Sequence, residues 1–363
     1  MSSLFERSVE IILQNQAPGG AFVASPNFPT YDYCWYRDSS FIAYAMDKVG
    51  EHQSAAQFHN WAATTITRRS DVIGRAVEKA RHGEQLLPAD VLHTRYTVNG
   101  DPASEDWPNF QLDGFGTWLW ALGEHAQAIY EDRSAASNAG LSSEWLSAAA
   151  LVADYLSALW DRPCYDCWEE FPDNIHPHTL AAIYGGLSAH QKFGGIDHSS
   201  VLSSLRSTIT QSAIKNNHLV KFIGADGVDA SLLGLAIPYR LVAADDPVMV
   251  STVAAIEKTL MKGAGLHRYA EDSYYGGGEW ILLTAWLGWY YAEIGEQARA
   301  QQARVWIEAQ IVGKGYLPEQ VPISLNAPEY YDIWCKRWGG IATPLLWSHA
   351  KYIILYLLTS ESG

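Results

Sequence analysis

The chain has 363 residues, of which 48% are hydrophobic and 18% charged, enough apolar material for a large core and too much for disorder, collagen or a coiled coil. Its 25 basic against 40 acidic side chains leave a net charge of −15, which offers no electrostatic footprint to nucleic acid or to an anionic membrane. Aromatic rings are the unusual feature: 15 Trp, 20 Tyr and 10 Phe are more than a core requires, and flat rings suit the apolar faces of sugars.

The opening MSSLFERSVEIILQNQ has no basic start followed by an apolar stretch, so no signal peptide is expected. The longest uncharged apolar segment, Trp280 to Ala292, has 13 residues, too few to span a bilayer. Cys164 and Cys167 have redox or half-zinc spacing, but with Cys34 and Cys335 they form no second pair. Reduced thiols in a cytoplasmic protein are the expectation.

Apolar residues recur at helical period through most of the chain. Twelve helices are expected, near 3–14, 38–48, 51–68, 114–130, 142–160, 177–193, 199–214, 230–241, 247–261, 280–294, 296–311 and 344–360, with an extra one at 71–82. Asp38, Ser142 and Ser199 stand where N-caps belong. Even-numbered helices are apolar nearly all round; 280–294 carries only Glu293. Odd-numbered ones are amphipathic, as at 296–311 with Glu296, Arg299, Arg304 and Glu308. A helix apolar on all sides is buried and an amphipathic one peripheral. The alternation therefore predicts six inner helices wrapped by six outer ones, an all-α (α/α)6 barrel.

Links from even to odd helices are short, such as 49–50 and 194–198, whereas odd-to-even links are long, such as 15–37, 69–113, 161–176, 262–279 and 312–343. In such a barrel the long links emerge at one end, where function is sought. No Ser/Gly/Pro linker divides residues 1–363, so one domain is expected.

The long links carry Tyr31–Asp38, Trp107–Gly114, Asp166–Glu170, Arg268–Trp280 and Leu317–Gln320, most of which mix Trp or Tyr with carboxylate, Arg or amide. Cleaving a glycosidic bond needs one carboxylic acid to protonate the leaving oxygen and a second carboxylate to activate water or attack. Glu169, beside Trp168 and the like-charged Glu170, fits an acid of raised pKa. Glu319, on another link, fits the second carboxylate.

These blocks, with Leu346-Trp347-Ser348, resemble the catalytic domain of the glucoamylase and glucodextranase family, glycoside hydrolase family fifteen, in order and spacing over about the whole chain. The resemblance implies Glu169 as general acid and Glu319 as general base. It implies that Glu170 contacts the leaving-group sugar, that Arg37, Asp38 and Arg268 grip the terminal glucose, and that Trp35 and Trp347 line its pocket. Tyr31 and Trp107 would hold the surroundings of the catalytic pair, with Trp168 beside the acid. The family inverts configuration and needs no metal or other cofactor. The reaction implied is release of β-glucose from the non-reducing end of a short α-glucoside, with isomaltose the first choice and maltose or trehalose linkages open. A β-sandwich or starch-binding module is not expected. Glu279 is charged where relatives usually are not, and is expected to reshape the leaving-group side.

Simpler roles compete for several residues. Arg37 and Asp38 alone read as an ion pair at a helix start. Asp272 could merely buttress Arg268, and Gln111 and Asp113 read as a loop-holding network. Trp118, Trp120, Trp286 and Trp289 read as core. His176 and His178 lack the carboxylates a metal would need, and Gly276-Gly277-Gly278 reads as close backbone packing rather than a phosphate loop. A sugar epimerase on the same barrel would centre on His, and a non-catalytic sugar binder could lose either Glu169 or Glu319. Nothing in the sequence sets an oligomeric state, and a monomer satisfies it.

Overall fold

The computed structural model describes residues 3–131 and 141–360. The chain folds as two compact units: Gln16–Val23 with Tyr33–Ser212, and Met1–Asn15 with Ala24–Asp32 and Ala213–Gly363. Along the chain run α1 (Leu4–Gln14), α2 (Tyr36–Lys48), α3 (His52–Thr67), α4 (Ser70–Arg81), α5 (Asp113–Glu131), α6 (Ser143–Leu159), α7 (Pro177–Gly194), α8 (Ser199–Ser212), α9 (Pro247–Leu260), α10 (Ile281–Glu293), α11 (Gln297–Glu308), α12 (Tyr331–Trp338) and α13 (Leu346–Ser360).

In the unit containing Tyr33–Ser212, α2, α5 and α7 are buried on most faces, and α3, α6 and α8 flank them. The approach of α5 to α7 rests on glycine: a Cβ on Gly186 would collide with the Gly116 carbonyl, and one on Gly116 would stand 2.5 Å from Ala182 backbone. Trp118 and Trp120 are buried there as expected. Two short strands, Cys34–Trp35 and Arg95–Tyr96, pair antiparallel with Trp35 opposite Arg95.

In the other unit α10 and α13 are the buried pair, Ile281 to Tyr291 being wholly inside, while α1 and α11 lie against them. Trp286 and Trp289 are core. A four-stranded antiparallel sheet of two-residue strands orders Met261–Lys262, Gly265–Leu266, Glu279–Trp280 and Gln320–Val321. Gly277, at φ +66, and Gly278 make this packing possible, since a Cβ would collide with the Asp272 carbonyl oxygen at the first and with that of Val321 at the second.

Four expectations are corrected. The helix at 230–241 is a 3-10 segment, Ala230–Leu235, because Pro238 offers no N–H and restricts Ile237. α12 is not among the expected helices. Asp38 is the third residue of α2, whose N-cap is Trp35, and Ser199 is already inside α8. Ser142 does cap α6, accepting the Trp145 N–H at 3.1 Å. Among the described residues no helix is long and apolar enough to cross a membrane.

Candidate active site

The expected residues fall into two clusters, one in each unit. The first is built around Glu169. Asp166 opens its turn: the Asp166 carboxylate Oδ1 accepts the backbone N–H of Trp168 and of Glu170, both at 2.9 Å. The Asp166 carbonyl accepts the Glu169 N–H at 2.9 Å. Held from both sides, Glu169 takes a left-handed φ of 70°, a costly conformation for a side chain larger than glycine. Its Oε1 accepts the Trp35 indole N–H at 2.5 Å. Burial raises the Glu169 pKa, while the nearby Arg37 charge and the Trp35 hydrogen bond pull it down. The net upward shift is what a general acid needs.

Trp35 is itself fixed from behind. Trp107 meets it edge-on at 6.2 Å, and the Arg95 guanidinium lies 3.6 Å from the Trp107 ring centre and 4.2 Å from that of Tyr33. Arg95 is buried and also donates to Glu105 at 3.0 Å. Sequence reading misses Arg95 because its partners are scattered along the chain. It also misses the role of Asp166, although an Asp two residues before a turn position is a known local signal. His176, at the start of α7, places Nε2 3.0 Å from the Cys164 carbonyl and 3.1 Å from that of Phe171, so it holds the two ends of the acid turn.

Arg37 donates to Gln111 Oε1 at 3.0 Å and to Asp113 Oδ2 at 3.4 Å, with Asp38 Oδ2 at 3.3 Å from its Nε. Gln111 and Asp113 thus form the expected network. Burial pushes the Asp38 carboxyl up to about 6, Arg37 opposing it and Asp113 adding to it. Cys164 and Cys167 are both buried and are not joined to each other by a disulfide, and burial lifts the Cys164 thiol to about 12.

The second cluster contains Arg268, Glu319 and Trp347. Arg268 is gripped by Asp272, at 2.8 Å from Nε and 2.5 Å from Nη2, and both are buried. Its guanidinium stands 5.1 Å from the Trp280 ring centre. Asp272 therefore has the buttressing role, and its Oδ1 also accepts the Tyr274 N–H at 2.9 Å. Glu319 is buried; its backbone N–H donates to Ala342 at 3.0 Å and its carbonyl accepts from Ile281 at 3.3 Å. Its negative charge helps hold the Tyr274 and Tyr275 hydroxyls in the protonated form, after burial the largest influence on both. Tyr31 and Tyr274 share a hydrogen bond of 2.7 Å. Trp347, buried at the start of α13, meets Trp286 edge-on at 6.4 Å. The adjacent Ser348 donates to the Pro318 carbonyl at 2.9 Å, and His349 Nε2 accepts the Leu317 N–H at 3.0 Å. Burial lowers His349 to about 3, so its ring is neutral and can accept. The start of α13 is thus the anchor of the Glu319 segment.

Glu279 packs toward α11. A Cβ on Gly265 would fall 2.7 Å from Glu279 Cδ and 2.5 Å from Trp306 of α11, which places this carboxylate against α11. Burial lifts it to about 7, with Lys262 opposing.

The match that decides the family covers residues 2–311, which fit the model described as "Glycosyl hydrolases family 15". The chain belongs to that family. It is 39% identical over 98% of its length to the isomaltose glucohydrolase of Kribbella flavida, of which it covers 92%. A solved structure described as a wild-type glycosidase superposes with a TM-score of 0.91 at 39% identity, over 98% of this chain and 96% of that one. A bacterial glucoamylase complexed with acarbose shares the fold alone, with a TM-score of 0.74 at 19% identity over 99% of this chain and 56% of the other. The fold class is the (α/α)6 barrel that the helix alternation predicts, and the protein is a glycoside hydrolase. Glu319 and Trp347 lie beyond the family-model match but within the 98% shared with the Kribbella enzyme.

The Arg268–Asp272 pair makes a test of this cluster. Removing one partner of a buried ion pair typically costs about 3–5 kcal/mol. Asp272→Ala is expected to lower unfolding stability by that order in urea titrations, and Asp272→Asn by less. A loss under about 1 kcal/mol would show that Arg268 does not depend on Asp272.

Proposed function

We propose that this protein is an inverting, exo-acting α-glucosidase that releases β-glucose from isomaltose and short isomaltooligosaccharides. The observation that carries the acid role is Glu169: half-buried, left-handed, with Oε1 occupied by the Trp35 N–H and its pKa raised. With Oε1 so engaged, the proton resides on Oε2, ready for the glycosidic oxygen. Glu319 is the general base that removes a proton from the attacking water. Arg37, Asp38 and Arg268 hold hydroxyls of the terminal glucose, Trp35 and Trp347 cover its faces, and Glu170 and Trp168 meet the leaving sugar. Tyr31 and Trp107 hold their surroundings. Likeness to the Kribbella enzyme supports isomaltose as substrate.

On this reading residues 1–363 act as one catalytic domain. A cytoplasmic setting is part of this reading. The chemistry needs no cofactor, and the partner is a small oligosaccharide rather than nucleic acid or membrane.

A proton NMR time course with isomaltose, maltose and trehalose, read before mutarotation, tests this reading. β-Glucose is expected first, and fastest from isomaltose. Early α-glucose would reject inversion, a faster rate on maltose or trehalose would reject the linkage, and no glucose from any of the three would reject the substrate class.

A further inference from the structure

Three buried side chains outside the catalytic clusters converge on one point. Asp47 is the next-to-last residue of α2, His59 lies in the middle of α3 and His125 lies toward the end of α5. One ligating atom from each lies within 4.8 Å of the other two. His125 Nδ1 is 2.8 Å from Asp47 Oδ1 and 3.0 Å from Oδ2. The His59 and His125 rings stand 5.0 Å apart, centre to centre, and the Trp145 ring closes over both at 5.8 and 5.5 Å.

His59 is the independent sign that this is more than an Asp–His hydrogen bond. It is 0% exposed, and neither of its ring nitrogens has a hydrogen-bond partner among the described residues; nor does His125 Nε2. Buried polar nitrogens are nearly always satisfied, and an exception calls for a reason. An imidazole lone pair is satisfied equally well by a metal ion.

We propose that Asp47, His59 and His125 form a binding site for a divalent ion of the zinc class, which clamps α2, α3 and α5 together. Two imidazoles and one carboxylate are borderline ligands, favouring zinc, cobalt or nickel over calcium or magnesium. Ligand atoms around tetrahedral zinc stand roughly 3.3 Å apart, so from separations within 4.8 Å the ligand atoms close inward by at most about 1.5 Å. His52, whose Nδ1 is 2.8 Å from Asp47 Oδ1, holds the carboxylate in place as metal-site carboxylates commonly are held. Asp47 lies ten residues along α2 from Arg37, roughly 15 Å at the helical rise, so the ion takes no part in bond cleavage.

The experiment uses tag-free full-length protein, stripped with chelator and titrated with Co²⁺. One equivalent is expected to give the intense visible absorption of tetrahedral cobalt, bleached by Zn²⁺, and Zn²⁺ is expected to raise the melting temperature. His59→Gln and His125→Gln should each lose the cobalt absorption and the zinc-dependent rise, with glucose release changed less than about twofold. Absence of cobalt absorption together with an unchanged melting temperature in the unmutated protein would overturn the site. Absorption that survives in both variants would place the metal elsewhere and overturn it too. Should a variant fail to fold, paramagnetically shifted imidazole protons in the cobalt form decide: signals from two rings support the site, and none overturn it.

Discussion

Glu319→Gln is expected to lower kcat for glucose release from isomaltose between about 10²- and 10⁴-fold, the usual worth of a general base. Glutamine matches the shape of glutamate and keeps its hydrogen-bonding reach, but it cannot take the proton from water. The backbone on either side is fixed by Ala342 and Ile281, and the segment is anchored by Ser348 and His349, so the substitution leaves the local structure in place. KM should therefore change little, because the loss arises only in the transition state. Steady-state glucose release together with a melting curve checks this. A loss under about tenfold, with the fold intact, would remove Glu319 from the role of base.

Glu169→Gln should cost kcat a similar factor on isomaltose, but for a different reason, and the substrate tells the two apart. A sugar leaving group needs a proton, whereas fluoride departs without one. On α-glucosyl fluoride the Glu169→Gln loss should shrink to a small fraction of its value on isomaltose, while the Glu319→Gln loss should persist. The pH profile gives a second sign. Burial raises the Glu169 pKa, so its protonated, working form persists above the ordinary carboxylate range. Activity is present below that pKa and is lost as pH rises through it. The alkaline limb of kcat/KM should therefore vanish in Glu169→Gln. Equal losses on isomaltose and on the fluoride would reject its role as acid.

Much of the fold is legible along the chain. The contrast between α10, apolar on every side, and α11, where Arg299, Arg304 and Glu308 flank a narrow buried stripe of Ala300, Ala303 and Ile307, is a statement about burial that needs only the 3.6-residue period. The same period misleads at 230–241 because apolar spacing says nothing of a missing N–H; Pro238 is the signal against a helix there. α12 escapes the reading although Tyr331, Trp334 and Trp338 have helical spacing. Trp334 lies edge-on to Tyr274 at 5.1 Å and donates to the Ser273 carbonyl at 3.0 Å, so its short helix is stabilised by a segment some sixty residues away.

Helix order, the alternation of buried and peripheral helices, the long links and the carboxylates they carry all depend on residues within a few positions of one another, and a linear reading reaches them. Other features exist only once the chain has packed: Trp35 donates to Glu169, Arg95 stacks on Trp107, Glu279 turns toward Trp306, and Asp47, His59 and His125 meet. Most of those contacts join residues far apart in the chain, and even the near ones depend on which way a side chain turns. Their geometry is set by how helices and loops pack, and neither propensity nor periodicity encodes a separation between residues on different elements.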